Sequence, residues 1–261
     1  MSRPKNVLLS LAGSLALLAG ATAYLACSPH VSPPAPQGDP LAQGRLFYQD
    51  RLYGRACEEL ELAVTRDPDN VDAHVMLGFA YEKRGMVDEA IEHLEVAAAQ
   101  NLPRWDVYRD LAKLYEKKGL YDQALACALR AKKLAPGNLD LGNLLGMVYF
   151  DQGKYDKAVG EYDKVLKEKD KAWVRNNLGL LYIRTGDNAK ALSQLRRSVA
   201  LDPRNAVARN NLGVVLQRLD RLREAEAQFA LAVKLDPDYR RAKFNLEKLR
   251  LTLSNLEESD H

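Results

Sequence analysis

Residues 172–205 read AWVRNNLGLLYIRTGDNAKALSQLRRSVALDPRN, and residues 206–239 read AVARNNLGVVLQRLDRLREAEAQFALAVKLDPDY. Laid over each other they align without a gap for 34 positions, and Arg175-Asn176-Asn177-Leu178-Gly179 falls on Arg209-Asn210-Asn211-Leu212-Gly213. Working outward from this pair, the small residue recurs as Gly44, Gly78, Ala112, Gly146, Gly179 and Gly213. Glu247 takes its place once more, and the steps are 34, 34, 34, 33, 34 and 34. A fixed period of this kind means that one supersecondary unit is stacked along the chain.

Each unit reads as two helices. Leu77, Leu111, Leu145, Leu178, Leu212 and Leu246 precede the small residue or its equivalent, and Phe47, Tyr81, Tyr115, Tyr149, Tyr182 or Leu216 follows it by three. That spacing gives the core stripe of a first helix. Twelve positions beyond the small residue stand Ala56, Ala90, Ala124, Ala158, Ala191 and Ala225. Leu60, Leu94, Ala128, Tyr162, Leu195 and Phe229 come four later, then Ala63, Ala97, Ala131, Val165, Ser198 and Ala232 three beyond those. An i, i+4, i+7 face marks a second amphipathic helix. Pro68, Pro136, Pro203 and Pro237 then close the units, because proline stops an outgoing helix and presets the next turn.

This pattern resembles the tetratricopeptide repeat, whose signature runs Trp/Leu/Gly/Tyr, Ala/Phe, Pro. The resemblance implies an all-α superhelical solenoid of about six hairpins. They fall at about 37–70, 71–104, 105–138, 139–171, 172–205 and 206–239, inside a repeat domain at 39–256. Residues 240–256 read as a polar capping helix, with Glu247 and Arg250 where small and aromatic residues would sit, and 257–261 as a tail.

The segment before the repeats has a different character. Arg3 and Lys5 precede twenty uncharged positions, Val7 to Ala26, which end at Cys27. This resembles a bacterial lipoprotein signal peptide over residues 1–27, with Cys27 lipidated by a palmitate-type anchor; an uncleaved membrane helix of about 20 residues is the alternative. Both leave the basic end in the cytoplasm and carry the remainder across the membrane. Residues 28–38, rich in proline, form an extended tether. The location expected is the bacterial cell envelope, facing the periplasm, as an outer-membrane lipoprotein.

Composition excludes several function classes. Apolar residues make up 47% and charged residues 28%, as in a folded globular chain. The net charge of +3 falls to +1 without Arg3 and Lys5, so nucleic acid is not an expected partner. The balance is uneven, at −4 over residues 28–171 and +5 over 172–261. No phosphate-binding glycine loop, metal-binding cysteine pattern or nucleophile elbow is present. His74 and His93, without a third ligand, read as packing residues. Cys57 and Cys127, two repeats apart, read as separate buried thiols. The chain is therefore expected to be a non-enzyme without cofactor, metal or small-molecule substrate.

In tetratricopeptide arrays the first helices line the concave face, and the candidate binding residues lie there. Asn177, Asn211 and Asn245 share one position, preceded by Asn176 and Asn210 in two of the repeats. Stacking would align their amides into a ladder offering a donor and an acceptor to an extended peptide backbone. Arg175, Arg209, Arg184, Arg218 and Arg241 add positive charge, which suits an acidic or C-terminal segment. Earlier repeats carry Ala42, Met76, Asp110 and Leu144 at the ladder position, a greasier surface. The function expected is an envelope-anchored scaffold that binds proteins or extended peptides during assembly of an envelope complex. Its architecture is similar to the pilotin lipoproteins that escort a secretin in type IV pilus assembly. The alternative is an accessory protein that recruits cell-wall or cytochrome-maturation enzymes.

Overall fold

The computed structural model describes residues 38–100 and 103–259; the leader, Cys27 and nearly all of the tether lie outside the described residues. Thirteen helices and no strand occur among the described residues. They pair as α1 (Pro40–Gln49) with α2 (Tyr53–Arg66), α3 (Val71–Arg84) with α4 (Val87–Ala99), and α5 (Trp105–Lys117) with α6 (Tyr121–Leu134). The array continues with α7 (Leu139–Asp151) and α8 (Tyr155–Glu168), α9 (Ala172–Thr185) and α10 (Asn188–Leu201), and α11 (Ala206–Arg218) and α12 (Leu222–Leu235). It ends on α13 (Arg240–Ser259). The cap is thus a helix that runs on to Ser259.

The repeated small residue is explained by the partner helix of its own hairpin. A Cβ built on Gly146 would lie 2.3 Å from Tyr162 Cε1, and one on Gly213 would lie 2.5 Å from Phe229 Cε1. Gly44, Gly78 and Gly179 face Leu60, Leu94 and Leu195 just as closely. Where the facing residue shrinks to Ala128, the small position relaxes to Ala112, and both are fully buried. The alanine series Ala56 to Ala225 is also at 0% exposure, so the hairpins close on small side chains from one helix and large ones from the other.

The turns within hairpins need a left-handed residue, supplied by Gly85, Gly119, Gly153 and Gly186 at φ between 72° and 86°. Arg51 and Asp220 hold it at 62° and 59° without being glycine. Between hairpins, Asn70 and Asn205 accept from the backbone N–H of Ala73 and Ala208 and so cap α3 and α11. The α8–α9 connection is one residue shorter than the connections that hold Pro68, Pro136, Pro203 and Pro237, which accounts for the single step of 33. Asp170 within it accepts from Arg175 and Arg197 at 2.8 Å each, and the buried Ser198 hydroxyl donates to Ala172 O at 2.8 Å, tying the shortened joint to α9 and α10.

Helix α13 buries Ala242, Leu246, Leu249 and Leu253 against the last hairpin. Its outer side is less polar than the sequence predicts: Phe244 and Leu251 are 64% and 66% exposed.

Candidate functional site

Successive odd-numbered helices pack on one another, α5 on α7, α7 on α9, α9 on α11 and α11 on α13, whereas the even-numbered helices form no comparable pairs. The odd helices are therefore the tighter, inner layer, and the site search starts there.

The asparagines on this layer are committed to each other. Asn177 Nδ2 donates to Asn143 Oδ1 at 2.8 Å, Asn211 Nδ2 to Asn176 Oδ1 at 2.9 Å, and Asn245 Nδ2 to Asn210 Oδ1 at 2.9 Å. Each bond crosses from one repeat to the next, and Asn210 and Asn211 are only 1% and 4% exposed. The open ladder predicted from sequence is corrected to a relay that staples α7, α9, α11 and α13 together. The physical reason is that stacked amides one repeat apart satisfy each other more cheaply than they can wait, desolvated, for a ligand. The sequence signal was Asn143, one residue ahead of the register in which the series was read.

The arginines divide similarly. Arg175 donates to Gln194 Oε1 at 2.7 Å as well as to Asp170. Arg209 donates to Gln228 Oε1 at 3.1 Å and to Pro203 O at 2.8 Å. Arg218 donates to Ile183 O on the neighbouring α9. These three hold the fold rather than standing open to an acidic ligand. Arg184 and Arg241 are exposed and are not drawn together with them. In the second hairpin His74 and His93 occupy the Arg/Gln brace positions. His74 Nε2 lies 3.0 Å from Pro68 O, and its Nδ1 lies 3.0 Å from His93 Nδ1. Burial, and then the charge of His74, hold the His93 pKa below the usual imidazole range. No third metal ligand joins them, and no group of three His, Cys, Asp or Glu able to hold a metal occurs among the described residues. Cys57 and Cys127 are free thiols, the latter pushed up to about 11 by burial and by the charge of Glu95.

What the sequence did not reveal is a cavity of about 160 Å³ on the α5, α7 and α9 face. Glu116 and Asp151 stand at it with Met147, Phe150, Leu180 and Asn177, and the Tyr162 ring reaches it from α8. The Glu116 carboxyl is pushed up to about 7, by burial first and then by the hydrogen bond and charge of Asp151, with Lys113 pulling the other way. Asp110, by contrast, is neutralised by a two-pronged contact from Arg109 at 2.6 and 2.7 Å. Larger depressions, of about 360 and 380 Å³, are lined mainly by residues of the turns and helix ends.

Four tetratricopeptide-repeat profiles match the sequence, at residues 47–105, 106–138, 138–204 and 176–246, and together they span 47–246. The chain belongs to the tetratricopeptide-repeat family. No curated protein sequence matches it. Among solved structures, this tetratricopeptide-repeat chain superposes on the APC/C hetero-tetramer Cut9-Hcn1 with a TM-score of 0.66 at 19% identity, over 80% of this chain and 42% of the other. It superposes on PilF of Pseudomonas aeruginosa with a TM-score of 0.64 at 17% identity, over 82% and 96% of the two chains. YrrB, described as a tetratricopeptide protein with an unusual peptide-binding site, superposes with a TM-score of 0.51 at 19% identity, over 72% and 97%. At these identities the likeness is one of fold. Members of the family are generally non-enzymatic scaffolds for proteins or peptides.

Proposed function

We propose that this chain is a scaffold anchored in the bacterial cell envelope, which binds a segment of a partner protein on the face formed by α5, α7 and α9. One observation carries the choice of face: the cavity there joins apolar walls to polar groups that no neighbour neutralises, whereas the C-terminal asparagines are engaged between repeats. Asn177 keeps its place among the candidate contacts, since it lines the cavity while donating to Asn143. The description of YrrB as peptide-binding agrees with this reading. The anchor rests on Cys27 and the apolar Val7–Ala26 segment, and the proposed role is assembly of an envelope complex, secretin and pilus assembly included. That pathway draws support from a leader, tether and repeat array laid out as in pilotin lipoproteins.

Two variants test the reading. Radiolabelled palmitate should enter the wild type and not Cys27→Ser, which should keep its uncleaved Val7–Ala26 segment. Co-purification from crosslinked membranes should lose the main partner in Leu180→Trp, which fills the cavity. A labelled Cys27→Ser protein, or an unchanged partner list in Leu180→Trp, would overturn the corresponding half.

A further inference from the structure

We propose that the cavity on the α5, α7 and α9 face is a socket for one long cationic side chain, lysine or arginine, of the bound partner segment. Glu116 and Asp151 would take the charge, and Met147, Phe150 and Leu180 the aliphatic stem. The inference rests on the peptide-binding reading above and adds the chemistry of the occupant.

Three observations converge on it. First, Tyr162 is 1% exposed, lines the cavity and has no hydrogen-bond partner among the described residues. Its ring packs in the space that a Cβ at Gly146 would occupy. The polar side-chain atoms shut off from solvent without a partner are Gln152 Oε1 and Asn188 Oδ1, so the Tyr162 hydroxyl keeps an opening, and the cavity that its residue lines is where an incoming group would meet it. Burial, then the charges of Asp151 and Glu116, push its pKa further up, so it remains a neutral hydroxyl able to accept from an ammonium or guanidinium N–H.

Second, the two carboxyls lack a salt bridge. Glu116 is half-buried and Asp151 exposed, whereas the buried Asp110 is matched by Arg109 and Lys113, and the half-buried Asp170 by Arg175 and Arg197. Glu116 is faced by Asp151 on α7 and Tyr162 on α8, and the nearest cation, Lys113 on its own helix, only partly offsets them. Two adjacent carboxyls without an ion pair gain most from a cation that approaches both. Third, the lining joins Met147, Phe150 and Leu180 to the two carboxyls and to Asn177, a mixture that suits a side chain with a hydrocarbon stem and a charged head. The net charge of −4 over residues 28–171 favours the approach of a basic segment.

The test uses the full chain and a displayed library of random dodecapeptides. Selected peptides should share a Lys or Arg. Replacing that residue by norleucine should weaken binding at least about tenfold, the scale of a charge-assisted contact. Glu116→Gln with Asp151→Asn should weaken it as much and leave no further effect of the norleucine change. Tyr162→Phe should weaken it less, and helix content should be unchanged in all three. Affinity should rise from pH 6 to 8 as Glu116 gives up its proton, and should be flat in Glu116→Gln. Peptides that bind, are lost in Leu180→Trp, but ignore the acid-to-amide changes would overturn the socket and spare the groove. If no peptide binds, or binding ignores Leu180→Trp, the groove reading itself falls. Binding that requires added calcium or magnesium and vanishes in Glu116→Gln would replace the side chain by a metal ion and overturn the proposal.

Discussion

Two glycines in one hairpin should respond to alanine with opposite signs. At Gly146 on α7 an added Cβ would sit 2.3 Å from Tyr162 Cε1 and 2.7 Å from Cδ1 and Cζ, against an unstrained carbon separation of about 3.5–4.0 Å. The ring must shift by more than about 1 Å, and overpacking of that kind costs about 1–3 kcal/mol. Replacing glycine by alanine inside a helix returns about 1 kcal/mol, so Gly146→Ala should destabilise by up to about 2 kcal/mol. At Gly160 on α8 a Cβ would meet nothing within 4 Å, so only the propensity gain remains and Gly160→Ala should stabilise by about 0.5–1 kcal/mol. Urea denaturation followed by circular dichroism reads the sign. Amide exchange in α7 and α8 localises it, which matters because repeat arrays need not unfold in one step. Combining Gly146→Ala with Tyr162→Ala recreates the Ala112/Ala128 pairing of the third hairpin, so the double variant should lose less than the sum of the singles. Shifts of the same sign at Gly146 and Gly160, or strict additivity in the double variant, would refute the packing argument.

Asp220→Gly should stabilise by about 0.5–1 kcal/mol in the same denaturation assay, since Asp220 holds the left-handed turn conformation at φ 59° that glycine supplies in four other hairpins. Asn211→Ala should cost about 1–3 kcal/mol, because it strands Asn176 Oδ1 and the amide of the buried Asn210; Asn245→Ala, at the half-exposed end of the relay, should cost less. His93 should make stability depend on pH. The folded pKa of His93 lies below its unfolded value of about 6.5, so the unfolded chain binds more protons in that window. Its contribution is complete above the unfolded value and is lost as pH falls through it toward the folded pKa. Thermal unfolding at pH 7.5 and 5.5 should show the loss, and His93→Gln should reduce it.

The fold was legible because each packing position is written six times, and a residue atypical in one hairpin is outvoted by its equivalents. The Gly or Ala series, the alanines of the second helices and the inter-hairpin prolines each identify their place in the core without reference to distance. Left-handed turns were written just as plainly, in Gly85, Gly119, Gly153 and Gly186, and so was the brace, in Gln194 and Gln228. Both devices are periodic and could have been read from spacing alone. The cavity could not. Glu116 and Asp151 are 35 residues apart, one off the repeat, and meet only through the stacking of α5 on α7. Tyr162 sits in a series otherwise filled by Leu, Ala and Phe, so its hydroxyl carried no signal until its surroundings were known. The asparagines misled for a related reason: identical residues in identical positions look like a surface presented to a ligand, yet stacking also makes them each other's nearest polar neighbours.

The most direct test of the central claim, that partners bind the odd-helix face between the third and fifth hairpins, is site-specific photocrosslinking in intact cells. p-Benzoylphenylalanine would replace Leu180, at the cavity, in one strain and Leu129, 47% exposed on α6 of the outer layer, in another. A partner adduct is expected at position 180 and not at 129, and it should disappear when Phe150→Ala and Glu116→Gln are added. An adduct at 129 with none at 180 would place recognition on the outer layer and contradict the claim.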